Sequence, residues 1–382
     1  MEIKYGLISA DSHAAFDRDD FTSRMSAVKW GDRIPHVAGY ERNGEHFDGW
    51  SIYGRPPSGN VCNCPALMGE PFPHWPKRWE EVPRMAYVPT ERLKALDIDR
   101  VDAEVLFPNP PGGSYHGYGD PEFELDVVRA YNDALAEWVR VSDRYIPLAI
   151  LPWLQEPKNI AQEIERAVEG GHRGVDVMGR MPGSLPHLTD PHWYPIWETC
   201  QGLGVPIHFH GSAGLNAGAS IKQWSGYSER QAHSASTSTS AVTPAQIVPQ
   251  LVFTGLTERF PNLKVVFAEA GIGGLNYAIA ACDHEWESRH LWTEGLPTRP
   301  SEAMRRQVFV NFWFEAEGIK LRHEIGIDNI MWEADLPHVA SYYPRSWDAV
   351  ERVLAGVPEA DRSKLLYENA VRVYQLKAKV PA

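Results

Sequence analysis

The sequence predicts a (β/α)8 TIM barrel with a long irregular insertion after the first strand that caps the barrel mouth. Short apolar runs recur eight times along the 382 residues, and amphipathic segments with helical periodicity separate them. No GxGxxG motif follows the first run, which disfavours an open dinucleotide-binding sheet. Because no interdomain linker is visible, we expect one domain over residues 1–382, with 14–95 as the insertion.

The predicted strands are rich in β-branched and aliphatic residues and are bounded by turn residues. In chain order they cover 6–9, 103–108, 145–151, 173–178, 205–210, 263–269, 307–312 and 329–334. Several segments between them begin with Pro or Asp and end with Gly, which are common helix start and stop residues. Residues 14–95 interrupt this alternation and are rich in Pro, Trp and Gly, so we expect a largely irregular cap there. The Ser- and Gly-rich stretch 211–243 predicts a long loop, either a mobile lid or a surface loop.

The composition disfavours several classes of function. A formal net charge of −13 lacks the basic footprint that nucleic acids and anionic membrane surfaces require, so a small molecule is the expected partner. No apolar run of about 18 residues and no signal-peptide pattern is visible, and we expect a cytoplasmic protein. Four cysteines in a chain of this length do not make a disulfide scaffold, and Cys62 and Cys64 are expected to be free thiols rather than metal ligands.

Polar side chains end four of the predicted strands. They are Asp11 and His13 after strand one, His208 and His210 in strand five, Glu269 after strand six, and Asp335 and His338 after strand eight. The carboxyl ends of the strands build the active site of a (β/α)8 barrel, so these side chains should converge. Imidazoles and carboxylates together hold divalent cations, whereas an unpaired carboxylate cluster would repel itself, and the pattern therefore predicts a metal site.

The positions within the strands suggest individual roles. Spacing i, i+2 places Asp11 and His13 on one face of strand one. His210 ends strand five and is the stronger ligand candidate there. His208 lies one layer deeper, where orienting or packing is favoured, although a catalytic or ligand role stays open.

Three further histidines are candidates for contact with substrate or for support of the ligands. They are His116 after strand two, His233 in the Ser-rich stretch and His338 after strand eight. For His116 and His233 an ordinary loop histidine is the simpler interpretation.

Four longer segments of the chain stand out: ISADSH, PIHFHGS, FPNLKVVFAEAGIGG and IGIDNIMWEADLPH. They resemble the amidohydrolase-related family of metal-dependent (β/α)8 enzymes, and the resemblance covers the first strand and nearly everything from residue 90 onward. It implies that Asp11, His13, His210 and Asp335 bind the metal. The decarboxylases of this family usually have a His at the end of strand six, where this chain has Glu269, which could instead hold or bridge a second metal ion or act as an acid or base.

The resemblance implies a metal-dependent hydrolase or non-oxidative decarboxylase of a small organic substrate. In hydrolysis, Asp335 would take a proton from a metal-bound water; in decarboxylation, the metal would anchor a carboxylate or phenolate while an acid protonates the ring carbon. A non-haem dinuclear iron, or mixed iron and manganese, monooxygenase on the same fold is the alternative, and a catalytically silent partner subunit is a further one.

The metal and the partners follow from the same interpretation. Zinc or manganese is the expected cofactor, with iron, in a dinuclear centre, as the alternative. The aromatic residues of the insertion suit an aromatic substrate, although packing against the barrel explains them more simply. The family implies an oligomer, for which a homodimer is the default and a hetero-oligomer stays open.

Overall fold

The computed structural model describes residues 1–112, 115–177, 183–211, 226, 228–239 and 242–379. The chain forms two compact units. The first comprises Met1–Arg173, Ala334–Asp348 and the carboxyl-terminal residues from Lys377, and the second comprises Gly174–Glu333 and Ala349–Leu376. The single domain that the sequence predicts over 1–382 stays a prediction.

Ten strands are present among the described residues. They are β1 (Ile8–Ala14), β2 (His36–Arg42), β3 (Glu45–Ser51), β4 (Ala103–Pro108), β5 (Tyr145–Ala149), β6 (Gly174–Asp176), β7 (Ile207–His210), β8 (Val265–Ala268), β9 (Val308–Phe312) and β10 (Ile330–Trp332). Eight of them form one sheet in the order β1-β4-β5-β6-β7-β8-β9-β10, and β2 and β3 form a separate pair. These eight are the strands that the sequence predicts, and the (β/α)8 barrel is confirmed.

Helices separate the barrel strands. The α-helices of the described residues are α1 (Ala27–Trp30), α2 (Arg84–Tyr87), α3 (Pro89–Asp99), α4 (Pro121–Val141), α5 (Pro157–Glu169), α6 (Tyr194–Leu203), α7 (Glu229–Thr237), α8 (Val242–Phe253), α9 (Leu256–Arg259), α10 (Gly273–Ser288), α11 (Pro300–Gln307), α12 (Ala316–Ile319), α13 (Arg322–Ile325), α14 (Ser346–Val353), α15 (Glu359–Ser363) and α16 (Asn369–Val373). No helix in this part of the chain is both long and apolar enough to cross a membrane.

In the first unit, helix α4 shows how the local sequence defines an element. The Asp120 side chain accepts hydrogen bonds from the backbone N–H groups of Glu122 and Phe123, and Pro121 occupies the first helical position. This cap and proline are the expected start of a helix. Glu124, on the buried face, accepts a hydrogen bond from the Leu154 N–H at 2.7 Å, so a carboxyl group lies inside the core.

The insertion is less irregular than the sequence analysis predicts. Strands β2 and β3 pair antiparallel, with Arg42 opposite Glu45. Asn43 and Gly44 join them, and both have positive φ, at 55° and 77°. An Asn-Gly dipeptide between two extended runs is a strong signal for a two-residue hairpin turn, and the sequence analysis missed it. The role of the insertion as a cap stays a prediction.

In the second unit, the barrel strands are apolar and buried, as parallel strands covered on both faces should be. Val265, Phe267 and Val310 belong to the core, and the Phe209 and Phe267 rings stack across β7 and β8 at 5.3 Å. His210 follows Phe209 at the carboxyl end of β7, where burial decreases. All four cysteines of the chain are buried free thiols, as predicted for Cys62 and Cys64.

Candidate metal centre

Strand β1 presents two of the predicted ligands together. Asp11 and His13 lie inside the strand, which extends to Ala14, and both are buried. The pairing of β1 with β4 shifts register between Ser9 and Ser12, so the strand is irregular at this point. Asp11 Oδ1 lies 3.4 Å from His13 Nε2, and the two side chains therefore share one face as their spacing predicts.

The hydrogen bond of His13 defines the state of its ring. Nδ1 lies 2.7 Å from the Pro108 carbonyl oxygen, which can only accept a hydrogen bond, so Nδ1 carries the proton. In the neutral ring, Nε2 then holds a lone pair, and it faces Asp11 Oδ1 at 3.4 Å and Asp335 Oδ1 at 3.2 Å. A lone pair between two carboxylate oxygens is repulsive unless a cation or an added proton lies among them. A carbonyl-bound imidazole is also the usual form of a metal-binding histidine.

Asp335 follows β10 in an unusual backbone conformation. Its φ is +48°, in the left-handed region that a residue with a side chain rarely adopts and that costs on the order of 1–2 kcal/mol. Backbone hydrogen bonds hold it there: the Asp335 N–H donates to the Asp11 carbonyl at 2.9 Å, and the His338 N–H donates to the Asp335 carbonyl at 2.8 Å. Strain held in this way is typical of functional positions.

The Asp335 carboxylate fits a divalent cation. Burial alone would raise its pKa, but His338 and His13 outweigh that effect and hold the pKa of Asp335 well below its usual range. The group is therefore ionised at neutral pH. Its Oδ2 is buried and has no hydrogen-bond partner among the described residues, which is costly for a charged oxygen without a cation. His13, Asp335 and His338 form a cluster of potential metal ligands, and carboxylates with imidazoles suit manganese, zinc or iron.

A buried ion pair, which the sequence analysis missed, holds the segment after Asp335. Arg92 in α3 donates from Nε and Nη2 to the two carboxylate oxygens of Glu104 in β4, both at 2.9 Å, and both side chains are fully buried. Arg92 Nη2 also donates to the Leu336 carbonyl at 2.9 Å, which accepts the His13 N–H at 2.6 Å as well. The pair therefore holds the Leu336 carbonyl in place, where the segment that carries Asp335 meets the strand that carries His13. A glutamate within the apolar run AEVLFP was its only signal in the sequence.

The second unit brings His210 and Glu269 together, as predicted for the ends of neighbouring strands. His210 Nε2 lies 3.8 Å from Glu269 Oε2, and both side chains are about one-quarter exposed. Glu269 has φ +48°, and its backbone N–H donates to Glu333 Oε2 at 2.9 Å. Glu333 is fully buried in the predicted strand NIMWEA. The sequence analysis did not predict that its carboxylate would hold the Glu269 backbone.

His208 occupies a packing position. It is fully buried, Nδ1 lies 3.1 Å from the Val175 carbonyl and Nε2 lies 3.0 Å from the Tyr374 hydroxyl. Burial lowers the pKa of His208 to about 3, so the ring stays neutral. Both ring nitrogens therefore have hydrogen-bond partners, which suits the orienting or packing role, and the catalytic role of His208 stays a prediction.

The other predicted histidines differ in position. His338 lines a cavity of about 570 Å³ in the first unit, whose walls include Trp50, Arg55, Asn63, Asn109 and Tyr118. The Arg55 guanidinium lies over the Tyr118 ring at 4.6 Å. His116 is two residues from Tyr118, and burial lowers its pKa, but it is not among the lining residues. The side chain of His233 lies outside the described part of the chain.

Comparisons with known proteins place the sequence in a family. A family model described as Amidohydrolase matches residues 73–376. The chain is 28% identical over 326 residues to the gamma-resorcylate decarboxylase of Rhodococcus jostii, covering 78% of this chain and 91% of that protein.

Two solved structures share the fold. An amidohydrolase from Mycobacterium avium subsp. paratuberculosis has a TM-score of 0.75 at 21% identity, covering 97% of this chain and 99% of that one. A dihydroxybenzoic acid decarboxylase from a Polaromonas species, solved with bound manganese and an inhibitor, has a TM-score of 0.58 at 24% identity, covering 78% and 89%.

Proposed function

The chain belongs to the amidohydrolase family whose model it matches over residues 73–376, and on this premise we propose that it is a metal-dependent decarboxylase of small aromatic carboxylates. It is an enzyme, as the sequence predicts. The two decarboxylases among its named relatives act on dihydroxybenzoic acids, by their names, and support this choice of chemistry. None of the named relatives is a monooxygenase or a silent subunit, so those two alternatives gain no support.

The observation that carries the proposal is the buried arrangement of His13 between two carboxylates. Asp11, His13 and Asp335 would hold the metal, and His210 would complete the set, since the carboxyl ends of barrel strands build one active site. Glu269 would act beside His210 as a further ligand or as an acid. Manganese is the first metal to test because it is bound in the structure of the Polaromonas decarboxylase, followed by zinc and iron.

The cavity of the first unit suits a substrate of this class. When bound, the divalent cation supplies positive charge that anchors a carboxylate or phenolate oxygen of the substrate. Arg55 adds a second positive charge to the cavity wall, and Trp50 adds an aromatic surface. A cavity of about 570 Å³ lies within the usual range for sites that enclose a small organic molecule.

The named decarboxylase relatives favour decarboxylation over hydrolysis. Decarboxylation breaks the bond between the ring carbon and the carboxylate, releases carbon dioxide and forms a C–H bond with a proton from an acid. Glu269, which is partly exposed, is the candidate for that acid.

The test uses the manganese-loaded enzyme with 2,6-dihydroxybenzoate, and in parallel with its amide and methyl ester, in deuterated water. We expect carbon dioxide release and one deuterium at the vacated ring carbon, detected by NMR. Turnover of the amide or ester without carbon dioxide release would replace decarboxylation by hydrolysis. His13→Ala should abolish the reaction, whereas His46→Ala, at an exposed histidine of β3, should leave it unchanged.

A further inference from the structure

His338 lies three residues after Asp335, in a tight turn that returns its side chain to that carboxylate. Its backbone N–H donates to the Asp335 carbonyl at 2.8 Å, and its Nδ1 lies 2.9 Å from Asp335 Oδ1. The His338 ring stacks on the His13 ring, with 3.7 Å between centroids and 21° between planes. The three side chains form one group, whose ligand atoms all lie within 4.8 Å of one another.

The spacing within this group matches that of ligands around one cation. Metal–ligand bonds of about 2.0–2.2 Å place neighbouring ligand atoms about 3 to 3.5 Å apart. The observed distances to Asp335 Oδ1 are 2.9 Å from His338 Nδ1 and 3.2 Å from His13 Nε2.

A hydrogen bond from His338 to Asp335 would have a similar length, so the number of nitrogens bound to the metal distinguishes the two roles. His13 Nε2 and His338 Nδ1 both face Asp335 Oδ1, at 3.2 Å and 2.9 Å, so one cation at that point would be within reach of all three side chains. The stacked His338 ring presents its own nitrogen to that oxygen.

We infer that His338 is itself a ligand of the metal, in addition to Asp11, His13 and Asp335; this rests on the proposed function. The His338 side chain is 14% exposed and lines the cavity, whereas the Asp335 side chain is fully buried. This additional ligand would therefore lie on the side of the metal that faces the cavity. It would limit the coordination positions left for substrate and water.

The experiment counts the nitrogens bound to manganese. Metal-free wild type, His338→Ala and the control His46→Ala are titrated with Mn(II) alone by calorimetry. The loaded proteins are then compared by electron spin echo envelope modulation, which detects ¹⁴N of bound imidazoles. We expect His338→Ala to have one coupled nitrogen fewer than wild type and at least about tenfold weaker Mn(II) binding. His46→Ala should match wild type in both measurements.

Three other outcomes would contradict the ligand role of His338, the proposed function, or both. An unchanged nitrogen count in His338→Ala would overturn the inference, even if binding weakens, because His338 would then only orient Asp335 by a hydrogen bond. A wild-type protein that binds no divalent metal would overturn the proposed function together with the inference. Mn(II) binding without turnover of aromatic acids would contradict the decarboxylase proposal alone and leave the nitrogen count valid.

Discussion

Replacing Arg92 by methionine should damage both the stability of the fold and the metal centre. The change leaves the Glu104 carboxylate fully buried without its partner and removes one of the two donors to the Leu336 carbonyl. Breaking a buried ion pair by removing one partner costs about 3–5 kcal/mol. The lost hydrogen bond adds about 1 kcal/mol. The total, about 4–6 kcal/mol, is a large fraction of the 5–15 kcal/mol by which domains are typically stable.

A double variant separates the two effects. Arg92→Met with Glu104→Leu replaces the pair by apolar side chains, which is often nearly neutral for stability. It should recover most of the lost free energy of unfolding. It should not recover Mn(II) affinity, because the Leu336 carbonyl still lacks its Arg92 donor and the segment that carries Asp335 is less firmly held.

The assays are urea denaturation followed by tryptophan fluorescence, and Mn(II) calorimetry on each folded variant. As a control, Lys320→Met breaks an exposed ion pair with Glu317 and should leave the urea midpoint unchanged. A loss of unfolding free energy below about 1 kcal/mol in Arg92→Met would show that the buried pair with Glu104 contributes little to stability. Wild-type Mn(II) affinity in the double variant would refute the role of Arg92 in positioning Asp335.

Three more predictions concern the core and the site. Burial raises the pKa of Glu124 to about 7, above the unfolded value of about 4.5, so its contribution to stability is present below pH 4.5 and is lost as pH rises through 7. Glu124→Gln should therefore flatten the fall in Tm between pH 5 and 8, and an unchanged slope would assign the effect to other groups. Tyr374→Phe removes the hydroxyl beside His208 and should lower stability by about 1 kcal/mol with kcat unchanged; a large fall in kcat would support a catalytic role for His208. Asp335→Asn should bind Mn(II) at least about tenfold more weakly than wild type in calorimetry, and equal affinity would exclude Asp335 as a ligand.

The strands and the polar residues at their ends could be predicted because both depend on local sequence patterns. Apolar runs such as VFVNF in β9 are short and bounded, and the i, i+2 spacing of Asp11 and His13 determines which way they point once the strand exists. The hairpin of β2 and β3 was predictable in the same way from Asn43-Gly44.

The supporting contacts were not predictable because they join residues that are far apart in the chain. Arg92 meets Leu336 across 244 positions, and nothing in either segment indicates the other. His208 shows the converse limit. Its depth in the strand favours orienting or packing, but its hydrogen-bond partners Val175 and Tyr374 are known only from the structure.

The metal centre at β1 and Asp335 is tested by elemental analysis of wild type and His13→Ala, both purified without chelator or added metal. We expect about one manganese or zinc per chain in wild type and a loss of that metal in His13→Ala. Equal metal content in the two proteins, or none in wild type, would contradict the metal centre at β1 and Asp335. Close to two irons per chain would contradict the decarboxylase and favour the oxygen-dependent alternative.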